Sequence, residues 1–161
     1  MVTSRNDGPL PRASRPPYAG TWINLGGTLV DSLSIDLPGS EISAIRMEHQ
    51  ELRICFSRAY LTKTLTGSVE RTRWWQAGDL VLEDPRLDGE PPAGPLVCAG
   101  GEVEENIYTY VDMIPVPLDS RGHGGCRLRF QDRELEFNVQ GRAIRLEMRD
   151  VPRYIEHLRP A

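Results

Sequence analysis

Lysine is almost missing from this chain: of its 19 basic side chains only Lys63 is a lysine, and the other 18 are arginine. Codon composition produces such a bias without any selection for nucleic acid, and the net charge of -4 does not favour phosphate binding overall. Nucleic acid is therefore not the expected partner. Cysteine is scarce as well. Cys55, Cys98 and Cys126 are odd in number, widely spaced and without a Cys-x-x-Cys pair, which argues against a disulfide framework and against a structural zinc site. Reduced thiols and no metal are the expectation. No apolar run approaches the roughly 18 to 20 residues a membrane-spanning helix needs. The opening stretch, "MVTSRNDGPLPRASRPPYAG", has four prolines and no apolar core, so it reads neither as a secretory signal nor as a transit helix, and a cytoplasmic protein is expected. Gly-x-Gly-x-x-Gly, phosphate-loop, His-Glu-x-x-His and Gly-x-Ser-x-Gly motifs are all lacking. No cofactor is expected, and an enzyme is the lesser expectation.

What the chain does have is alternation. Its 161 residues suit one domain with one core. Residues 1–18, rich in Pro, Arg and Ser, read as a disordered or extended arm, and residues 19–161 as a single β domain. "SAIRMEHQELRICF" places Ile45, Met47, Leu52, Ile54 and Phe56 on one face, a hairpin turning at His49 and Gln50. In "CRLRFQDRELEFNV" a two-residue turn at Asp132 and Arg133 sets Phe130 opposite Leu135, Leu128 opposite Phe137, Cys126 opposite Val139 and Arg129 opposite Glu136. Parity then asks for a second tight turn at Gly141 and Arg142, glycine first, leading into "AIRLEMRD". "RWWQAGDLVLED" and "ENIYTYVDMI" are also strand-like, separated by a long loop, "PRLDGEPPAGPLVCAGG". "PRYIEHL" is the candidate short C-terminal helix. The predicted fold is all-β, about eight antiparallel strands in a barrel or two-sheet sandwich, closed by that helix.

"SRGHGGCRLRF" is the first place to look for chemistry. Three residues apart on an extended strand, His123 and Cys126 face opposite ways, so they share a site only if the glycines between them bend the chain. The reading is a glycine-rich loop feeding a strand that starts at Cys126, with the thiol buried and unreactive. "RTRWWQ" is the leading surface candidate. One of Trp74 and Trp75 should enter the core while the other faces outward or lies under a loop; facing outward beside Arg71 and Arg73, it is able to stack on a base, a sugar or a partner's side chain. Tyr108 and Tyr110 likewise share a face. Charge is uneven: residues 79–112 carry one basic and nine acidic side chains, whereas the segments on either side are each at +2. That marks an acidic central surface, with Glu102, Glu104 and Glu105 as its candidate binding residues, for a protein partner with a basic surface or for a cation.

"AGTWINL", residues 19–25, contains Gly20, Thr21 and Trp22, a Gly-x-Trp that resembles the first-strand motif of lipocalins. The resemblance covers those three residues and implies a barrel whose interior binds a small apolar ligand. The leading expectation is a non-enzymatic binding or interaction module. A small-ligand barrel and an enzyme using carboxylates or His123 are the alternatives.

Overall fold

A computed structural model describes residues 22–23, 29–65, 67 and 69–159. The expected arm, residues 1–18, and the first two residues of the Gly-x-Trp motif lie outside them. Two short strands, β1 (Trp22–Ile23) and β2 (Leu29–Val30), pair with each other. The rest is one nine-stranded antiparallel sheet: β3 (Ser32–Glu48), β4 (Glu51–Thr64), β5 (Arg71–Glu83), β6 (Arg86–Leu87), β7 (Leu96–Glu105), β8 (Tyr108–Val111), β9 (Met113–Val116), β10 (Asp119–Phe130) and β11 (Arg133–Leu158). Neighbours run β3-β4-β5-β11-β10-β7, and β7 returns to β3 through the pairs Glu41–Val97 and Ile42–Leu96. The pairings thus form a closed circuit of six strands. β8 flanks β7 and β9 flanks β3.

Alternation explains most of this. In β4, Leu52, Ile54 and Phe56 point into the core, and then the parity changes. Between the pairs Phe56–Gly78 and Ala59–Gln76 β4 spends three residues where β5 spends two, a bulge that returns Ala59 and Leu61 to the inner face. The β3–β4 hairpin turns at His49 and Gln50 as the alternation predicts, with Ile45 opposite Ile54 and Met47 opposite Leu52, although Met47 is exposed.

The C-terminal third differs from the sequence reading. Leu128–Phe137, Cys126–Val139 and Arg129–Glu136 pair as predicted, but the turn falls at Gln131 and Asp132, setting Phe130 against Arg133 and leaving Leu135 exposed. An irregularity beside the turn absorbs the odd residues. The predicted turn at Gly141 and Arg142 does not form, and β11 runs through it as one 26-residue strand. Gly141 serves close approach instead: a Cβ there would lie 2.6 Å from the Glu83 carbonyl oxygen. Among the described residues there is no helix, and so none long and apolar enough to cross a membrane. "PRYIEHL" is strand, since β5 offers it a ladder from Trp75–Arg153 to Arg71–Leu158 whereas an isolated helix that short is unstable. Gln76 helps by donating to the carbonyls of Arg149 and Asp150 at 3.1 and 2.9 Å, and Tyr154 packs edge-on against Trp74, with ring centroids 5.3 Å apart. The long loop is shorter than predicted, because β6 and β7 take up both its ends.

"SRGHGG" is strand too. β10 begins at Asp119, not at Cys126, and bulges between Arg121 and Gly124. The bulge needs Gly122, whose φ is +109°, while a Cβ on Gly124 would meet the Ile144 side chain at 2.5 Å.

Candidate functional site

The outer face of β4, β5 and β11 divides into two halves of different chemistry. At the end nearer the β3–β4 turn, Arg53 donates to Glu147 at 2.8 Å, Asp79 at 3.0 Å and Glu51 at 3.2 Å. Arg145 donates to Glu51 and Glu147, both at 2.8 Å, and to Glu83 at 3.0 Å. Arg149 closes on the other oxygen of Asp79. Every carboxylate in this web has a guanidinium. The Arg145 hydrogen bond is the main influence holding Glu51 below the usual carboxylate range, and Glu147 is lowered chiefly by Arg53 and then by Arg145. Asp79, almost fully buried, sits between Arg53 and Arg149.

Past the β4 bulge the same face changes character. Tyr60, Trp75 and Arg153 stand abreast on β4, β5 and β11. The guanidinium of Arg58 lies 4.4 Å from the Trp75 ring centroid and that of Arg153 5.5 Å from it, while Arg73 lies 5.0 Å from the Tyr60 ring. Among the described residues none of Arg58, Arg71, Arg73 and Arg153 has a carboxylate within ion-pair distance. A guanidinium that meets a ring through its face keeps its N–H fork for an anion, and the ring holds the fork in place. Among the described residues, Arg58, Arg73 and Arg153 are thus cations placed over or beside two aromatic rings without a carboxylate at ion-pair distance. The web beside it has already consumed its charges.

Trp74 and Trp75 do take opposite faces: Trp74 packs on the core and donates to the Thr72 hydroxyl at 2.8 Å, and Trp75 looks outward. Sequence reasoning paired the outward ring with Arg71 and Arg73. The structure gives it Arg58 and Arg153, whose approach depends on strand order and on the β4 bulge. Tyr60 and Arg58, two residues apart in "RAY", carry a period-two hint of a shared outward face; nothing local marks Arg153.

Glu102, Glu104 and Glu105 are on β7, three strands from β5 in either direction around the circuit, so the structure does not bring the two groups of predicted binding residues together. Glu102 pairs with Arg127 at 3.1 Å and Glu104 with His123 at 3.1 Å. Glu105 is buried and accepts from the Tyr110 hydroxyl at 3.0 Å. Seven of the nine acidic residues of 79–112 have such partners: Asp79, Glu83, Asp84, Glu102, Glu104, Glu105 and Asp112. The excess negative charge of that segment is largely spent on arginines brought in by β4, β10 and β11.

His123 turns to Glu104, whereas Cys126 belongs to the core, where burial drives its thiol far above the ordinary range. Cys98 is pushed up to about 11, also by burial. Tyr108 and Tyr110 stack with centroids 6.5 Å apart. Among the described residues no group of three or more His, Cys, Asp or Glu side chains could hold a metal ion. On the inner face, Leu33, Leu61, Lys63, Trp74 and Pro152 line an apolar recess of about 130 Å³. No known family, curated protein or solved structure matches the chain.

Proposed function

We propose that the protein is a non-enzymatic binding module, a six-stranded barrel with a filled interior, whose contact surface is the Arg58, Tyr60, Arg73, Trp75 and Arg153 half of the outer sheet face. The observation that carries this reading is the Trp75 ring held between two guanidiniums, with a third over Tyr60 and, among the described residues, no carboxylate within ion-pair distance of any of them. Aromatic and arginine side chains are the residues that dominate protein interfaces, and guanidinium forks bind carboxylates, as they do phosphates, through paired N–H groups. The partner is a protein presenting an acidic segment. The earlier expectation, a basic partner drawn to residues 79–112, has less support because most of those carboxylates are already paired. The small-ligand reading has the recess under Trp74, but about 130 Å³ is well below the range of roughly 300–1,000 Å³ typical of small-molecule sites. The enzyme reading has the His123–Glu104 pair, and no third side chain among the described residues is hydrogen-bonded to that imidazole or carboxylate.

A decaglutamate peptide, titrated at low salt and followed by tryptophan fluorescence, tests the proposal. Binding should saturate and weaken by at least about tenfold in Arg58→Ala and Arg73→Ala, while Glu102→Gln with Glu104→Gln leaves it unchanged. Saturable binding of decalysine instead, lost in the glutamate variants, would overturn the proposal in favour of a basic partner. Equal binding of a ten-nucleotide thymidine oligomer would overturn the choice of a protein partner.

A further inference from the structure

β11 is paired with β5 along residues 143–158, but its other edge is covered for only part of that length. Pairing with β10 ends at Arg145–Asp119, followed by one hydrogen bond from the Leu146 N–H to the Leu118 carbonyl. From Glu147 to Leu158 that edge has no strand partner among the described residues, and Arg149 to His157 are all exposed, including Val151, Tyr154 and Ile155. An edge of this length with apolar side chains is a template for another strand. Its near part is protected: Asp150, at φ +61°, and Pro152 fall in the irregularity between Arg149 and Arg153. The open stretch is therefore Arg153–Leu158.

The register of that stretch says what fits it. Arg153 lies beside Trp75 and Glu156 beside Arg73, and Ile155 is the extra residue between them. Trp75 and Arg73 share the outer face, so Arg153 and Glu156 share it too, although a regular strand would turn residues three apart to opposite faces. Opposite charges on one face, symmetric about the Tyr154–Ile155 midpoint, are self-complementary. A two-fold axis normal to the sheet at that midpoint lays two β11 edges antiparallel. Each Arg153 then stands opposite Glu156 of the other copy, and each Tyr154 beside the other Ile155.

We infer that the exposed Arg153–Leu158 edge of β11 pairs with the same edge of a second copy of this chain, held in register by reciprocal Arg153–Glu156 ion pairs. The axis also places both Trp75 surfaces on the same side of one continuous sheet. In the dimer Arg153 is taken by Glu156 of the second copy, which leaves Arg58, Arg73 and Trp75 to the contact surface.

Sedimentation velocity of the full chain over a concentration series tests it. An edge of six residues per copy is short of the roughly 20–30 residues a side of a standard interface, so a dimer should assemble at concentrations of about 1 to 100 µM. Arg153→Glu or Glu156→Arg alone should weaken association at least tenfold by setting like charges opposite each other. Both changes in one chain should restore it, and so should an equimolar mixture of the two single variants, where every cross-strand pair is again opposite in sign. Ile155→Pro, at the residue that β5 does not pair, should abolish the dimer while leaving the urea midpoint of the monomer unchanged. A chain that stays monomeric across the series would overturn the inference. So would a dimer that the single variants do not weaken or that the charge exchange does not restore.

Discussion

Replacing Asp79 by Ala removes the most buried carboxylate of the outer-face web, and the structure sets the size of the loss. Asp79 accepts from Arg53 at 3.0 Å and from Arg149, and hydrogen bonds to charged groups contribute about 1.5–3 kcal/mol each. The two losses are unequal. Arg53 keeps Glu51 and Glu147, while Arg149 loses the carboxylate that pairs with it among the described residues but has a side chain 47% exposed, so water takes over most of that bond. The net cost should be about 2–3 kcal/mol, short of the roughly 3–5 kcal/mol expected when a wholly buried pair is broken. With a urea dependence of about 2 kcal/mol per molar for a chain of this size, the unfolding midpoint should fall by about 1 M. Glu102→Ala, which breaks the exposed pair with Arg127, should cost under about 1 kcal/mol, and that smaller loss should shrink further in high salt. Equilibrium urea titrations followed by tryptophan fluorescence and by circular dichroism read both. If the Asp79→Ala midpoint lies within about 0.2 M of the parent's, or no lower than that of Glu102→Ala, the web does not stabilise the face as described.

Core packing and pH give two further tests. Leu128 is fully buried opposite Phe137 whereas Leu146 is only half-buried at the margin of the core, so Leu128→Ala should cost about 4 kcal/mol and Leu146→Ala about 2; equal losses would contradict the traced path of β11. The lowered folded-state carboxyls of Glu51 and Glu147 add stability above their ordinary value of 4.5, and that stability is lost as pH falls from there through their depressed values. The urea midpoint should therefore drop over that acid window, and more shallowly in the Glu51→Gln, Glu147→Gln double variant; parallel curves would contradict the pairing.

How much of this could be read from sequence follows from the range of the forces involved. The β3–β4 hairpin was legible because Ile45, Leu52, Ile54 and Phe56 keep strict period two on either side of His49 and Gln50. The opposite facing of Trp74 and Trp75 was legible for the same local reason. β11 was not. Gly141 looks like a turn residue, and only the approach of the Glu83 backbone gives its missing side chain another purpose. "PRYIEHL" has the marks of a helix start, and only the open ladder of β5 makes it a strand. The acidity of residues 79–112 was plain from counting, yet its neutralisation depends on Arg53, Arg127, Arg145 and Arg149, brought to it by strand order. Bulges defeat parity in the same way. Those in β4 and β10, and the one at Ile155, shift every later side chain by one face; their place is fixed by register against a neighbouring strand, and Gly122 in the β10 bulge is a local mark of one of them.

The central claim is that binding is centred on Trp75 and its arginines, and the indole N–H resonances of the two β5 tryptophans report on it directly. In a ¹H–¹⁵N correlation spectrum recorded during titration with decaglutamate, the Trp75 indole and the guanidinium signals of Arg58 and Arg73 should shift together and saturate. The Trp74 indole, packed on the core and bonded to Thr72, should stay in place, as should the amides around Glu102 and Glu104. Shifts confined to β7, or a Trp74 indole that moves while Trp75 does not, would contradict the account.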